Sequence, residues 1–573
     1  MFCGLAARLA VGWAEGDGWV RSEIGTGLLQ WRHVVSLVQP DCKWANRSRM
    51  FREQGLIVAV TEDQGPTLAL LADPGSYGLA AGEAVTRVDT HASHIFLAGD
   101  RVYKMKRALR YPYLDYGTAG RRKWACEREV ALNRRTAPSL YLGVAAVRRD
   151  PGGRLFLDPH GARVGEPVDW LVVMRRFDAG DLLDDRARKG LLTPELMRRA
   201  AAAIATFHRD AEVAPDGAGS EAMRAVIAEN FEELRSQPEL FDLATVEELE
   251  ARSGNAFAAT AGLIDRRREA GLVRQCHGDL HLRNICLVEG EPTLFDCIEF
   301  NDAFARIDVL YDLAFLLMDL IHREHTDLAN VVGNEYAKDG RNLDGLALLP
   351  LFMATRATVR AKVAGSAMAV GGAAKAAGAV EIAAYLDLAR RLLTWSPPLV
   401  VAIGGLPGTG KTTVARSIAP SLGGVVGALH WRSDVIRKQL AEVDELTRLP
   451  PVTYTREASD RVYGEMLRRA GETLAAGHPV VLDATFMAAE ERDAVEAMAR
   501  SAGAAFEGFW LEAPEGELRR RLAGRTGDAS DATPAVLDKM AAYRTGTVGW
   551  TRLDAAAPEP GGRILRHLGL RRV

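Results

Sequence analysis

The sequence predicts a multidomain protein in which an α+β domain is followed by an α/β domain with a parallel sheet. The chain has 573 residues, which is more than one hydrophobic core usually supports. Short strands and then long helices occupy residues 83–393, as is typical of an α+β fold. From residue 399 onward strands alternate with helices, and this pattern favours a parallel sheet covered by helices on both faces.

Composition and charge narrow the classes of function. Hydrophobic residues make up 48% of the chain and charged residues 26%, with a formal net charge of −3. This balance gives no electrostatic reason to expect DNA or an anionic membrane as a partner. The six cysteines have neither paired nor zinc-ligand spacing, which favours the reducing cytoplasm. The most apolar stretch, 309–321, contains two aspartates and is too short to span a bilayer, so we expect a buried helix.

The order of segments predicts where the domains begin and end. We expect residues 1–49 to be an N-terminal extension, either disordered or the product of an early start site, with a true pair of strands as the alternative. The first domain would cover residues 50–394 and open with a helix over 51–73. Ser396–Pro398 reads as a linker, and the second domain would cover 398–573.

Hydrophobic periodicity and turn residues place the main elements. In the first domain we predict strands at 85–89, 95–98, 102–105 and 170–177, and helices at 121–135, 194–209, 221–236 and 245–270. In the second domain we predict strands at 399–403, 480–482 and 506–511, and helices ending at 419, spanning 488–502 and beginning at 516.

A glycine-rich loop follows the strand at 399–403 and leads into a helix. Its sequence fits G-x-x-x-x-G-K-[ST], in which glycines let backbone N–H groups face phosphate oxygens at a helix N-terminus. Lys411 would reach the β- and γ-phosphates as a binding and catalytic group, and the Thr412 hydroxyl would ligate Mg²⁺. The residues predicted to bind the nucleotide are Gly405, Gly408, Thr409, Gly410, Lys411, Thr412 and Thr413.

Other polar residues of the second domain favour a phosphotransferase over a motor ATPase. Asp434 and Arg437 lie three apart at a helix start, where the acid can accept a proton and the arginine can hold a phosphate; a simple helix cap is the alternative. Asp483 ends an apolar strand, where a carboxylate can support the metal. Arg521 and Arg525 are candidates for a mobile lid, with Arg525 chosen for the nucleotide; a solvated helix face is the alternative.

Residues 398–552 resemble the small P-loop kinases of the adenylate-kinase-like group. The polynucleotide kinase and zeta-toxin families share a P-loop followed by a D-x-x-R segment. The resemblance implies that Asp434 is the base or substrate anchor and that Arg437 accompanies it.

A second constellation lies in the first domain, in the sequence His277-Gly-Asp-Leu-His-Leu-Arg-Asn284. The spacing D-x-x-x-x-N suits phosphoryl transfer, because Asp279 can orient or deprotonate a hydroxyl while Asn284 reaches a Mg²⁺. A hairpin is predicted from 285 to 295, and it ends on Asp296, a second candidate metal ligand. We expect Asp279, Asn284 and Asp296 to act on the same ATP phosphates.

Residues 80–390 resemble the aminoglycoside phosphotransferase family, on the strength of this loop, the Phe295–Glu299 segment and Tyr311-Asp-Leu-Ala. The resemblance implies a two-lobed, protein-kinase-like domain with a nucleotide lysine paired to a helix glutamate. Lys104 is chosen for the lysine with Lys106 as the alternative, and Glu129 is preferred to Glu127 as its partner. Residues 174–177 would form the hinge beside the adenine. No G-x-G-x-x-G precedes the lysine, and Glu299 lies three residues after Asp296, which departs from the family pattern.

Together these features predict two Mg-ATP sites in one chain, each transferring phosphate to a hydroxyl of a small molecule. The whole arrangement resembles bacterial bifunctional aminoglycoside phosphotransferase/ATP-binding proteins. Two alternatives stay open: the P-loop domain is a regulatory nucleotide switch, or the first domain is a nucleotide-binding module without catalysis.

Overall fold

The structure is a computed structural model, and its described residues group into two compact units. The first unit comprises the described residues up to Asp181 together with Leu294–Ala305, and the second comprises Leu182–Thr293 and the residues from Arg306 on. The described residues are 59–80, 82–111, 113–159, 161, 163–370, 375–394, 396–525, 527–543 and 545–572. The predicted extension over 1–49 lies outside them, and the predicted boundary at 394–398 falls inside the second unit.

An antiparallel sheet forms the centre of the first unit, with strand order β2-β3-β4-β9-β7-β8. Its apolar face buries Phe96, Met105 and Leu171 completely. The elements up to residue 181 are β1 (Ala59–Val60), α1 (Gly65–Ala72), β2 (Thr86–Asp89), β3 (Ser93–Ala98), β4 (Arg101–Lys106), β5 (Leu109–Tyr111), β6 (Leu114–Asp115), α2 (Ala119–Asn133), β7 (Tyr141–Arg149), β8 (Leu155–Asp158) and β9 (Glu166–Arg175).

The helix predicted over 51–73 is shorter in the structure, which describes this segment from residue 59 onward. Strand β1 occupies Ala59–Val60, and helix α1 begins only at Gly65. Pro66 sits in the first turn of α1, where a missing N–H costs nothing; deeper in a helix it would remove a hydrogen bond. The proline therefore marks the start of the helix.

Helices dominate residues 182–392. Helix α8 buries 13 of its 14 residues, so the prediction of a buried helix over 309–321 is confirmed. The elements of this stretch, with α7 belonging to the first unit, are α3 (Leu183–Arg188), α4 (Pro194–Asp210), α5 (Ser220–Arg235), α6 (Leu243–Glu269), β10 (Val273–Gln275), β11 (Ile285–Val288), β12 (Glu291–Leu294), α7 (Asp302–Ala305), β13 (Arg306–Asp308), α8 (Val309–His322), α9 (Thr326–Ala337), α10 (Leu349–Val370) and α11 (Lys375–Leu392).

We expect Asp308→Ala to lower the free energy of unfolding by about 3–5 kcal/mol, because it would leave a buried charge without its partner. Arg267 donates from Nε and Nη2 to the two carboxylate oxygens of Asp308 at 2.8 and 2.9 Å, and both residues are buried. Urea denaturation measures the change. Asp216→Ala is the matched control, since it removes the exposed partner of Arg306 and should cost at most about 1 kcal/mol. Equal losses in the two variants would contradict the prediction.

A five-stranded sheet organises the C-terminal part of the second unit. The strand order is β15-β16-β14-β17-β18, and all four pairings are parallel. The elements are β14 (Leu399–Gly405), α12 (Lys411–Ile418), β15 (Leu429–Arg432), α13 (Ser433–Leu440), α14 (Arg456–Ala475), β16 (Val480–Asp483), α15 (Ala489–Ser501), β17 (Ala505–Glu512), α16 (Glu515–Ala523), α17 (Pro534–Ala541), β18 (Thr551–Asp554) and α18 (Pro560–His567). The predicted parallel sheet is confirmed.

Two asparagines of helix α9 bond to the chain around the outermost strand β15. Asn330 donates from Nδ2 to the carbonyls of Val426 and Ala428 at 2.7 and 2.9 Å. The backbone N–H of His430 donates to Asn334 Oδ1 at 2.7 Å. Side chains of a helix thus take the place that a neighbouring strand would otherwise occupy.

The predicted fold class is confirmed: an α+β region, with antiparallel strands followed by helices, precedes an α/β domain with a parallel sheet. Across the described residues, helices with the length and apolarity needed to cross a membrane are absent.

Candidate active sites

Two lysines on one face of strand β4 share a single buried glutamate. Lys104 Nζ lies 2.9 Å from Glu129 Oε1, and Lys106 Nζ lies 2.5 Å from Glu129 Oε2. Lys104 also contacts Asp296 Oδ1 at 2.6 Å, whereas Lys106 pairs with Glu299. Both lysines are buried and Glu129 is fully enclosed. The first unit therefore brings together the predicted lysine, its predicted glutamate and the predicted metal carboxylate.

Glu127 and Lys106, the alternatives to Glu129 and Lys104, lie in different surroundings from the residues that were preferred. Glu127 is half-exposed and pairs with Lys123 on the same helix, so it faces away from the β4 lysines. Tyr116 Oη donates to Glu299 Oε1 at 2.6 Å. Burial opposes the charge of Lys106, but Glu129 and Glu299 outweigh it and raise its pKa well above its ordinary value. Lys106 and Glu299 thus form an enclosed ion pair, and the choice of Lys104 for the nucleotide stays a prediction.

The backbone fixes the position of Asp296. Its φ is 60°, in the left-handed region where acidic residues are more tolerated than most. Its N–H donates to Tyr141 Oη at 3.1 Å, and the next N–H, of Cys297, donates to Asn133 Oδ1 at 3.0 Å. The predicted hinge at 174–177 begins where β9 ends, and Phe177 packs edge-on against Phe295 at 5.2 Å between ring centroids.

The predicted catalytic loop lies in the second unit and is buried. Asn284 Nδ2 donates to both the carbonyl and the Oδ2 of Asp279, each at 2.9 Å. His281 Nδ1 accepts from the N–H of Arg283 at 3.2 Å, which leaves its other nitrogen, 3.6 Å from Asp279 Oδ2, to carry the proton. Burial lowers the pKa of His281 to about 4, so this ring is neutral near pH 7. The acid and the amide of D-x-x-x-x-N are therefore adjacent and oriented.

Helix α8 anchors this loop through two buried carboxylates. Asp312 accepts from the N–H groups of His277 and Gly278, each at 2.9 Å, and lies 3.2 Å from His208 Nε2. Asp319 accepts from the N–H of Leu282 at 3.1 Å. Carboxylates that accept backbone N–H bonds are held in the ionised form. Sequence reasoning used Asp312 only as part of a family pattern and gave Asp319 no role.

We expect the ionised Asp319 to stabilise the second unit above pH 4 and to lose that effect in acid. Burial alone would raise its pKa, but Arg323 and His281 outweigh burial and lower it to about 2. Since the folded pKa lies below the unfolded value of about 3.9, the stabilisation of roughly 2–3 kcal/mol is complete above pH 4 and vanishes as the pH falls through 2. Denaturation of wild type and Asp319→Asn from pH 7 to pH 3 should show their difference shrinking; a difference independent of pH would refute this.

The P-loop adopts a curled backbone that only glycine tolerates at one key position. Gly405 has a φ of 135°, and a Cβ there would lie 2.4 Å from the carbonyl oxygen of Leu511. Gly408 and Gly410 each have a φ of 86°. Lys411 Nζ donates to the carbonyls of Gly405 and Leu406, each at 3.0 Å, and so folds over the loop. Thr409 is buried and donates to the carbonyl of Leu406 at 2.8 Å, while Thr413 is exposed on α12.

The two residues predicted to support the metal in the P-loop domain, Thr412 and Asp483, are in contact. Thr412 Oγ1 donates to Asp483 Oδ2 at 2.6 Å. The same oxygen lies 3.3 Å from His430 Nε2, and Arg432 Nε lies 3.6 Å away. Burial opposes ionisation of Asp483, but His430, Arg432 and Lys411 outweigh it and lower its pKa. A hydroxyl beside an ionised carboxylate offers the oxygen ligands that Mg²⁺ prefers, so these residues fit the metal that the kinase families imply.

The predicted acceptor residues lie on helix α13. Burial lowers the pKa of Lys411, and the negative charges of Asp483 and, less strongly, Asp434 oppose that shift. Arg437 donates to the carbonyl of Thr453 at 2.6 Å and to Ser459 Oγ at 3.3 Å. The acid therefore acts on the P-loop lysine, whereas the arginine is bonded to the segment before and within α14.

The two lid candidates occupy different places. Arg521 Nη1 donates to the carbonyls of Gly408 and Thr409 at 3.4 and 3.5 Å and is paired with Glu517. Arg525 Nε lies 3.5 Å from Asp528. The structure thus brings Arg521 to the P-loop, although the sequence favoured Arg525 for the nucleotide. The roles of both arginines stay predictions.

Sequence reasoning missed the residues that flank Asp483. His430 and Arg432 share a face of β15 with each other, and the sheet register sets Arg432 opposite Asp483. A histidine and an arginine two apart just before the D-x-x-R segment was a usable signal, because alternate residues of a strand face the same side. Their strand neighbour could not be known without the strand order.

Two sequence families match separate parts of the chain. The family described as "Phosphotransferase enzyme family" matches residues 126–349, and the one described as "AAA domain" matches residues 400–547. The protein described as "Uncharacterized protein Rv2004c" from Mycobacterium tuberculosis is 32% identical over 480 residues, which cover 82% of this chain and 92% of that protein.

Solved kinase structures are similar to portions of the chain. A choline/ethanolamine kinase family protein from Mesorhizobium loti is 15% identical, with a TM-score of 0.36 over 56% of this chain and 95% of that chain. A gluconokinase from Sinorhizobium meliloti 1021 is 22% identical, with a TM-score of 0.21 over 31% of this chain and 98% of that chain.

Proposed function

The chain belongs to the family of this mycobacterial relative and is a kinase with a phosphotransferase domain followed by a P-loop domain, and on this premise we propose that it carries two Mg-ATP sites. Each site transfers the γ-phosphoryl group of ATP to a hydroxyl of a small molecule. The observation that carries the proposal is the presence of two separate sets of phosphate-handling groups, the Asp279–Asn284 loop and the P-loop with Thr412 and Asp483.

In the first reaction the acceptor hydroxyl oxygen forms a bond to the γ-phosphorus while the bond from that phosphorus to the β,γ-bridging oxygen breaks, and ADP leaves. The hydroxyl proton passes to Asp279, whose orientation Asn284 maintains. In the first unit, Lys104, held by Glu129, is the lysine that we propose for the nucleotide. Asn284 and Asp296 each offer an oxygen of the kind Mg²⁺ prefers. A bound Mg²⁺ neutralises phosphate charge.

In the second reaction the P-loop binds the phosphates through its backbone N–H groups and Lys411. Thr412 and Asp483 hold the metal, and Asp434 accepts the proton of the acceptor hydroxyl. The place of Asp434 in the first turn of helix α13, in the D-x-x-R segment that follows the P-loop helix, supports this role. Arg521, which already contacts the P-loop carbonyls, covers the phosphates together with Arg525.

Titration calorimetry with Mg-ATP tests the number of sites on the full chain. We expect two equivalents per polypeptide, and one equivalent at saturation would refute the two-site proposal. Transfer from γ-labelled ATP is then measured over sugars, aminoglycosides, nucleosides and RNA ends. A labelled product that disappears in Asp279→Asn assigns its acceptor to the first site, and one that disappears in Asp434→Asn assigns its acceptor to the second.

A second candidate function is that the P-loop domain regulates the first domain as a nucleotide switch. The bonds from Asn330 and Asn334 to the chain around β15 favour it, because a shift of that strand would act directly on helix α9. Asp434→Asn separates the two functions while leaving ATP binding intact. Loss of a labelled product favours a second kinase, whereas unchanged products combined with an ATP-dependent rate at the first site favour the switch.

A further inference from the structure

A cavity of about 320 Å³ lies in the second unit, between the P-loop helix α12 and helix α9. Its walls come from the start of α4, from α9, from the end of α12 and from strand β15. Ligand-binding pockets in proteins commonly begin at about this size. Neither of the two phosphate-handling loops described above contributes its loop residues to the wall.

The cavity wall carries an excess of positive charge. Six arginine or lysine side chains line it against three carboxylates. Several of these cations have a carboxylate partner: Lys338 pairs with Glu335, which also lines the wall, while Arg469 pairs with Glu465 and Arg432 with Asp528, each at 2.7 Å. Some cations of the wall are therefore paired with a carboxylate and others are not, and one part of the wall keeps an excess of positive charge.

Arg416 stands at that part of the wall. Within the described portion of the chain it makes neither a hydrogen bond nor an ion pair with a carboxylate. Burial lowers its pKa, the positive charges of Arg432 and Arg198 lower it further, and the weaker opposing effects of two carboxylates, Asp528 and Glu445, do not restore it. Its side chain remains accessible from the cavity. Like charges gathered without enough counter-charge favour a bound anion, since each guanidinium presents several donors in a fixed plane.

We propose that this cavity binds a small molecule carrying a phosphate group, with Arg416 and Arg198 as its principal ligands. Two guanidinium groups suit phosphate because each can form paired, charge-assisted hydrogen bonds to its oxygens. Arg198 forms an ion pair with Glu195 on the exposed side of α4. Because this pair is exposed, Arg198 can turn to a ligand without breaking a buried pair. This site is additional to the two ATP sites and does not depend on them.

One residue of the cavity wall lies next to the predicted metal pair of the P-loop domain. His430 lines the cavity, and its Nε2 lies 3.3 Å from Asp483 Oδ2, which accepts from Thr412 at 2.6 Å. A ligand in the cavity is therefore separated from the metal-binding hydroxyl by two side chains.

Calorimetric titration with inorganic pyrophosphate in magnesium-free buffer tests the proposal on the full chain. The double variant Arg198→Gln/Arg416→Gln should lose one bound equivalent, or bind it at least tenfold more weakly, while Lys411→Ala loses a different one. The control Arg391→Gln/Arg520→Gln removes two exposed arginines that pair within their own helices, and it should match wild type. Equal titrations for the control and the Arg198/Arg416 variant would overturn the proposal.

Crystals soaked with tungstate give an independent reading of position. Anomalous peaks are expected at the P-loop and in the cavity within hydrogen-bonding distance of Arg416. A peak at the P-loop accompanied by an empty cavity would also overturn the proposal, because the first peak proves that the anion reached the protein.

Discussion

Asp279→Asn should reduce phosphoryl transfer at the first site by about 10²–10⁴-fold, which is the usual contribution of a positioned acid–base group. The substitution keeps the size of the side chain but removes the oxygen charge that accepts the hydroxyl proton. Asn284, which donates to Asp279 Oδ2 at 2.9 Å, would face an amide in place of a carboxylate. Transfer from γ-labelled ATP to an acceptor found in the screen measures the loss, in a Lys411→Ala background so that the P-loop contributes nothing.

ATP affinity and fold must be checked in the same variant. Asp279 acts on the acceptor in the proposed reaction, so ATP affinity should stay within a few-fold of the parent. Asp210→Asn is a suitable control, because this exposed aspartate lies at the end of α4 and contacts Arg209 on the surface. Retention of full transfer by Asp279→Asn would favour the alternative in which the first domain only binds a nucleotide.

Lys411→Ala should weaken ATP binding at the P-loop at least a hundredfold and remove one of the two equivalents seen by calorimetry. Lys411 already contacts two carbonyls of the loop, at Gly405 and Leu406. Its ammonium group therefore lies over the loop that is predicted to bind the phosphates. Hydrogen bonds to charged groups contribute roughly 1.5–3 kcal/mol each, and losing two of them corresponds to about two to four orders of magnitude in affinity.

Lys123→Ala provides a control for the loss of one positive charge, since Lys123 is half-exposed and pairs only loosely with Glu127 at 3.5 Å. Circular dichroism before and after heating checks that the P-loop variant remains folded. If Lys411→Ala still bound two equivalents of ATP with unchanged affinity, the prediction that the P-loop binds a nucleotide would be wrong.

The sequence predicted the P-loop domain well because its signals are local. An apolar run leads straight into glycines and a lysine, and β14 and α12 lie where that pattern indicated. For the same reason, the four strands predicted for the kinase-like region match β2, β3, β4 and β9 within a few residues, and its long helices match as closely. Strands β1 and β5–β8 were not predicted. Helix α1 was extended too far, because hydrophobic composition was given more weight than the proline at its start.

Contacts that join distant parts of the sequence could not be predicted in the same way. Lys104 and Lys106 share a strand face because alternate residues of a strand point to the same side. Only the folded structure shows that both lysines contact Glu129. It also shows that Lys104 contacts Asp296, whereas Lys106 contacts Glu299. The neighbours of Asp483 were missed because they depend on β15 pairing with β16. Strand order is set by packing of the whole domain, and no local pattern encodes it.

The asparagine bonds around β15 have a consequence for any attempt to produce the C-terminal region alone. Cutting the chain ahead of β14 would strip Asn330 and Asn334 away and leave the peptide groups near His430 open to solvent. An uncovered row of such groups is a template for pairing with another molecule. A truncated fragment should therefore self-associate, and a longer fragment that keeps α9 should stay monodisperse.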